Sequence, residues 1–441
     1  MRSERSPHRP VITAALALCL AGWTARIVSV LYHHHQSLAV ILALAALSLL
    51  VCGWIAAALS RLPGAWGRLT APALLGLALG WACGEAYLPD TFPTAVSLAP
   101  ALGAAVLFLI VAARSPALLS RLAYAVAAGS LLFAATPTAM AWLLARDQGL
   151  TVAPPALSGA TPTATLIVLL DELPATPARR IATALQQRGF SVAALEVPSV
   201  GRNTEEVLPS IFSGRSMKDG VPCGQHTVCT DRAAFAFDQL ALDGMPLDIV
   251  GFYHPYCAIR GLRYCAMLDF SDGWERWLCR AKIRMAPEHF RRECQQQAAQ
   301  DWMTLLADVD ERAAAAPFWN DGGAMFLHLP LPHPPSATAG DPMPKQFTDN
   351  LALATQRVVG MAERLHQRFG NGFRLVIFSD HPLRTTLWCQ NLVFAGTDCQ
   401  HLPQELLDPR VPLMVVTTRP APALGARLNA DVLEYIGRRH P

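Results

Sequence analysis

Hydrophobic and polar residues are distributed unevenly along this chain of 441 residues. Before residue 146 the pattern is almost continuously apolar, in five long stretches at approximately 11–31, 37–60, 70–89, 98–113 and 119–145. Most of them approach the roughly 20 residues that an α-helix needs to cross a bilayer. They predict an N-terminal α-helical transmembrane bundle of about five spans over residues 1–146. Beyond residue 162 the rhythm changes. Short apolar and β-branched runs at 163–170, 190–197, 246–253, 324–331, 373–379 and 412–418 predict strands. Helix-like stretches at 176–188, 203–213, 232–243, 270–317, 347–369 and 428–438 alternate with them. Such alternation predicts an α/β domain over residues 163–441, with a mostly parallel central sheet between helices. Residues 147–162, DQGLTVAPPALSGATP, have the Pro, Gly, Ser and Thr content of a linker.

Charge adds an orientation. Arg2, Arg5 and Arg9 precede the first stretch, Arg61 and Arg68 follow the second, and Arg114 and Arg121 flank the turn after the fourth. The alternate loops hold His33, His34 and His35, or Glu85 and Asp90, with no Lys or Arg. Basic residues beside spans stay on the cytoplasmic side, so an odd number of spans delivers everything after residue 146 to the outside. A net charge of +3, with no phosphate-binding glycine loop, gives no case for nucleic acid as a partner.

Cysteines fit an exported domain. Of 11, Cys19, Cys52 and Cys83 lie in the apolar stretches, where a thiol is a small apolar group. The remaining eight form sequence-close couples: Cys223 with Cys229, Cys257 with Cys265, Cys279 with Cys294, and Cys389 with Cys399. They read as disulfides, although eight cysteines allow about 105 connectivities. A zinc site is the rival reading, and no C-x-x-C spacing supports it.

Chemistry gathers at predicted strand ends, which is where open α/β sheets bind ligands. The run TATLIVLLDELP ends in Asp171 and Glu172, and FRLVIFSDHPLR ends in Asp380 and His381. These carboxylates and the imidazole are oxygen and nitrogen ligands suited to one divalent metal. GRNTEEVLPSIFSGR places Thr204 near a helix N-terminus, where backbone N–H groups and the dipole favour anions. Its plainer reading is that Asn203 or Thr204 is an N-cap. His328 and His254 read as interior or turn histidines.

The segments LLDELP, TEEVLPSIFSG, FLHLPLPHPP and FSDH together resemble the alkaline-phosphatase-like superfamily, with its sulfatase-type fold. Within it the chain is most similar to membrane-anchored phosphoethanolamine transferases, whose layout is also five spans and an exported disulfide-bearing domain. The resemblance implies that Thr204 is the nucleophile and a metal ligand, with Asp380 and His381 as further ligands. Glu172 matches the ligand of the transferases, and Asp171 that of the phosphatases and sulfatases. His333 matches a histidine that contacts the transferred phosphate or a second metal. The implied cofactor is Zn2+, one ion or two, with Mn2+ as the alternative.

Two departures stand out. Pro382 occupies a position where the family has glycine, and Arg410, in DPRVPLMVV, stands where a histidine is usual. Arg410 then becomes a candidate substrate-binding group, since guanidinium matches phosphate bidentately, with Arg215 after the nucleophile helix and His401 in the intervening loop as further candidates. The implied activity is transfer of phosphoethanolamine, or a similar phospholipid headgroup, to an envelope glycan or lipid through a phospho-threonine. The implied place is a bacterial inner membrane, with the catalytic domain in the periplasm. A sulfatase-like hydrolase is the enzymatic alternative, but Val207 occupies the position, two before Pro209, where a sulfatase needs Cys or Ser. A catalytically degenerate scaffold that binds glycolipid is the alternative of another class, favoured by Arg410 and Pro382.

Overall fold

The computed structural model describes residues 94–115, 117–119, 121–126, 164–240, 246–268, 286–338, 340–390 and 401–420, with a few single or paired positions elsewhere. Two compact units divide the chain, Met1–Leu31 with His35–Leu143, and Tyr32–His34 with Leu144–Pro441. In the first unit the main described element is helix α1, Thr94–Arg114, which contains the fourth apolar stretch. Its Leu102, Val106, Leu107 and Ile110 are exposed. Among the described residues no helix is long and apolar enough to cross a membrane. The first three apolar stretches, most of the fifth and the linker lie outside the described residues.

The second unit is built on a seven-stranded sheet. Its strands are β1 (Ala164–Asp171), β2 (Ser191–Pro198), β6 (Leu247–Phe252), β7 (Tyr264–Leu268), β8 (Gly323–Pro332), β9 (Phe373–Ser379) and β10 (Arg410–Thr417). They lie in the order β2-β10-β9-β1-β8-β6-β7. β1 pairs in parallel with β8 and β9, and β6 with β7 and β8, whereas β10 runs antiparallel to both its neighbours. Every residue of β1 is buried, as a central strand covered on both faces must be.

Alternating side chains of that strand feed two cores. Leu166, Val168 and Leu170 join helices α2 (Ala175–Gln187), α4 (Pro287–Ala315) and α6 (Met343–Phe369) on one face. Ile181, Trp302, Leu306, Phe347 and Val358 supply their apolar stripes. Ile167 and Leu169 point the other way, against Val207, Leu208 and Ile211 of helix α3 (Thr204–Ser213). A second sheet of β3 (Val221–Pro222), β4 (Thr227–Cys229) and β5 (Ala234–Ala236) packs Val228 and Phe235 into the same core. This two-period division is what carboxyl-end geometry needs, because it pins the strand ends from both faces.

Some expectations change. Residues 232–243, read as a helix, instead form β5 and the short turn Phe237–Gln239. Phe235 and Phe237, two residues apart, both face the core with their rings 4.9 Å apart, which is strand spacing. Within the helix expected over 270–317, α4 starts at Pro287, where proline has no N–H to satisfy and fits the first turn; most of 270–285 lies outside the described residues, and Cys279, Lys282 and Ile283 there are helical. The short strand β7 and the short helices α5 (Phe318–Asp321) and α7 (Thr385–Gln390) had no clear periodic signal. Most of 428–438 lies outside the described residues.

Disulfides join Cys223 to Cys229, Cys257 to Cys265 and Cys279 to Cys294. Cys389 is also disulfide-bonded, and Cys399 lies outside the described residues.

Candidate functional site

Four strand ends and one helix start meet at the carboxyl edge of the sheet. β1 ends in Asp171, where its register against β8 slips between Leu170 and Asp171. The slip breaks the pleat and redirects the side chain. β9 is followed by Asp380 and His381, and β8 by His333. β2 leads through Ser199–Asn203 into α3, whose first residue is Thr204.

Asn203 is the true N-cap. Its side chain accepts from the Glu206 N–H at 2.9 Å, while Glu206 Oε2 accepts from the Arg202 N–H at 2.9 Å. With Asn203 and Glu206 making these bonds, the Thr204 hydroxyl has no capping duty at the helix end. Instead Thr204 Oγ1 donates to Asp380 Oδ2 at 2.6 Å and lies 3.4 Å from His381 Nε2. Asp380 Oδ1 accepts from the backbone N–H groups of His381 at 2.8 Å and Glu172 at 3.1 Å. Asn429 clasps the strand end from behind, donating to the carbonyls of Ser379 and Asp380 and accepting from the Val200 N–H at 2.9 Å.

Asp171, Asp380 and His381 are buried and offer ligand atoms within 4.8 Å of one another. Asp171 Oδ2 faces His333 Nε2 at 3.3 Å and His328 Nε2 at 3.7 Å. His328 is held through Nδ1 by the Tyr256 hydroxyl at 2.9 Å. Tyr256 can reach it because Gly251 leaves room: a Cβ there would meet the tyrosine ring at 2.6 Å. Asp171 Oδ1 is buried and makes no hydrogen bond. A bare carboxylate oxygen costs several kcal/mol in a protein interior unless a cation or donor compensates it, roughly the desolvation scale of an unpaired polar group. Two carboxylate oxygens and an imidazole nitrogen, one oxygen otherwise unsatisfied, fit a divalent cation of the Zn2+ or Mn2+ kind.

The electrostatics agree with a cation-seeking cluster. Burial pushes the Asp380 carboxyl up, against the pull of His381. Asp171 is equally buried, yet His333 and His328 hold it well below the usual carboxylate range. Burial alone would lower His333, but the Asp171 carboxylate overrides it and brings the imidazole up to about 9.

Glu172 takes no part in this trio. It is buried with φ 61, in the left-handed region, and its carboxylate turns away from Asp171. Oε1 accepts from Arg384 Nε at 2.6 Å and pairs with Nη2 at 2.5 Å, while Oε2 accepts from Trp388 Nε1 at 2.5 Å and from the Arg384 N–H at 3.2 Å. A carboxylate paired with a guanidinium and accepting from an indole and a backbone N–H is already neutralised, so Asp171 rather than Glu172 stands with Asp380 and His381.

The candidate substrate-binding residues are placed less uniformly. His333 stands beside the trio. Arg410 starts β10 at the same edge, but its guanidinium is committed to Asp408 at 3.0 Å and Glu196 at 2.5 Å. Arg215 lies just past the end of α3 and is exposed, as is His401. Arg384, Trp388 and Asn429 were missed by sequence reasoning. Only the position of Arg384 and Trp388 a few residues after the Asp-His pair could have drawn notice.

No family model matches the sequence, and no curated protein matches it. Among solved structures the chain is similar to a protein in the alkaline phosphatase superfamily from Vibrio parahaemolyticus, at 10% identity over 69% of this chain and 75% of that one, with a TM-score of 0.34. It is also similar to Ps i-CgsB, at 12% identity over 58% of this chain and 65% of that one, with a TM-score of 0.31.

Proposed function

We propose that this chain is a metal-dependent phosphotransferase, anchored in a bacterial inner membrane, that takes phosphoethanolamine or a similar headgroup from a phospholipid and passes it to an envelope glycan or lipid. The observation that carries the reading is Thr204, a buried hydroxyl at a helix N-terminus, 2.6 Å from Asp380 and beside the Asp171–Asp380–His381 trio. The sequence motifs supply the substrate class, and anchoring would confine the enzyme to the surface that holds its donor.

Asp171, Asp380 and His381 would hold the cation. Once bound, it would supply positive charge that favours the ionised hydroxyl and draws charge from the phosphoryl oxygens. The chain's own residues do the rest. Thr204 donates to Asp380 Oδ2, which fixes the hydroxyl proton and turns the oxygen lone pairs away from the carboxylate. That proton leaves along the existing hydrogen bond as Oγ1 attacks phosphorus and the bond to the lipid alcohol breaks. The first turn of α3 directs backbone N–H groups and its dipole toward incoming negative charge. His333, protonated beside Asp171, adds a second positive group at the same edge. The departing lipid alkoxide takes a proton from His333; an acceptor hydroxyl then gives its proton to His333 as it displaces Thr204 from the phospho-threonine, and Thr204 regains its own from Asp380.

The test is intact mass after incubation of the purified, zinc-loaded chain with phosphatidylethanolamine. A headgroup adduct that disappears in Thr204→Ala is expected, with turnover falling at least about a thousandfold. Transfer to water alone would recast the protein as a phosphatase. Absence of both bound zinc and a Thr204-dependent adduct would sink the reading.

A further inference from the structure

The indole of Trp388 lies almost parallel to the imidazole of His333, with ring centroids 5.5 Å apart and planes inclined by 16°. The indole is itself fixed, because Nε1–H donates to Glu172 Oε2 at 2.5 Å. His333 is held at its other nitrogen, Nδ1, by the Pro334 carbonyl at 2.5 Å, and Asn350 Nδ2 ties the His333 carbonyl at 2.8 Å. With plane and Nδ1 set, Nε2 has one direction left, toward Asp171 Oδ2 at 3.3 Å. Asp171 is thereby engaged through Oδ2, and Oδ1 is the oxygen left bare for a cation.

We infer that Trp388, anchored by Glu172, is a positioning residue that orients His333 and, through it, the metal-binding oxygen of Asp171. Glu172 thus serves the centre from behind rather than as a ligand. Carboxylates and imidazoles around a metal are held by partners of this kind, and loss of one costs typically tenfold to a hundredfold in metal affinity. The inference rests on the metal centre proposed above, but its geometry is independent of any bound ion.

Two measurements on the full chain test it. In the metal-free protein with 15N-labelled histidine, NMR should show slow solvent exchange of the His333 Nε2 proton. Trp388→Phe keeps a ring but loses the N–H to Glu172, and should speed that exchange about tenfold. An unchanged rate overturns the inference whether or not the protein binds metal. The second measurement is zinc affinity by chelator competition. Trp388→Phe and Glu172→Leu should each weaken binding about tenfold, whereas Glu172→Gln, which still accepts the indole N–H, should restore it to near the wild-type value. In a His333→Gln background Trp388→Phe should add nothing further, since its effect passes through the imidazole. Additive losses would mean that Trp388 only packs, and would overturn the inference. Fast exchange in Trp388→Phe combined with no zinc binding by the wild type would leave the positioning role standing and remove the proposed phosphotransferase.

Discussion

Asp171 and Glu172 are neighbours with the same chemistry and opposite fates. The left-handed turn at Glu172 separates them, sending one carboxylate to His333 and His328 and the other to Arg384 and Trp388. A non-glycine residue in that region costs on the order of 1 kcal/mol or more, so the surrounding donors must hold it there. Asp171→Asn should therefore abolish stoichiometric zinc binding while Glu172→Gln keeps it, as measured by metal analysis of the purified variants. Glu172→Gln should instead lower stability by about 1–3 kcal/mol in urea, because charge-assisted hydrogen bonds to a buried group are lost. Arg384, with 39% of its side chain exposed, can partly return to water and keeps the loss below that of a fully buried pair.

The elements that bear the site depend on both cores. Leu169 lies in the middle of β1, paired with His328 of β8 and Phe378 of β9, and packs beneath α3. Leu169→Ala should cost about 2–5 kcal/mol in urea unfolding, as fully buried leucines do. A second contact locks α2 to the start of β10. Asp408 accepts from Thr176 at 2.6 Å and from Arg410 at 3.0 Å. Partial burial would raise its carboxyl, but these donors win and bring it from 3.8 to about 2. The folded value lies below the unfolded one, so the stabilisation is complete above pH 3.8 and is lost as pH falls through about 2. Asp408→Asn should flatten the acid limb of the stability curve over that interval, measured by denaturant titrations at a series of pH values.

At the scale of the whole molecule, the unit after residue 143 holds both cores, the site and the three described disulfides. A fragment starting at residue 147 should fold on its own, with one cooperative transition and an intact zinc site by metal analysis. Reducing agent should destabilise it, chiefly through Cys279–Cys294. That bridge spans 15 residues, and closing a loop of this length is worth about 3 kcal/mol in chain-entropy terms. The shorter bridges, spanning 6 and 8 residues, should contribute less.

Periodicity alone determined the strands that matter here. β1, β2, β6, β8, β9 and β10 fall within about two residues of the apolar runs that predicted them; for β1, β6, β8 and β9 the reason is that a buried strand with a parallel neighbour must be apolar on both faces and stop where polarity begins. The abrupt ends at Asp171 and Asp380 likewise announced a polar edge. Short, one-sided elements such as β3, β5 and β7 carry too few residues to show a period. What only the tertiary structure decided is which side chains share that edge. Thr204 and Asp380 are 176 positions apart, and Trp388 meets His333 across two elements. The choice of Asp171 over Glu172 rests on a single backbone dihedral and on partners contributed by another strand and loop. A local pattern can place a carboxylate at a strand end, but the direction in which it points is set by contacts distant in sequence.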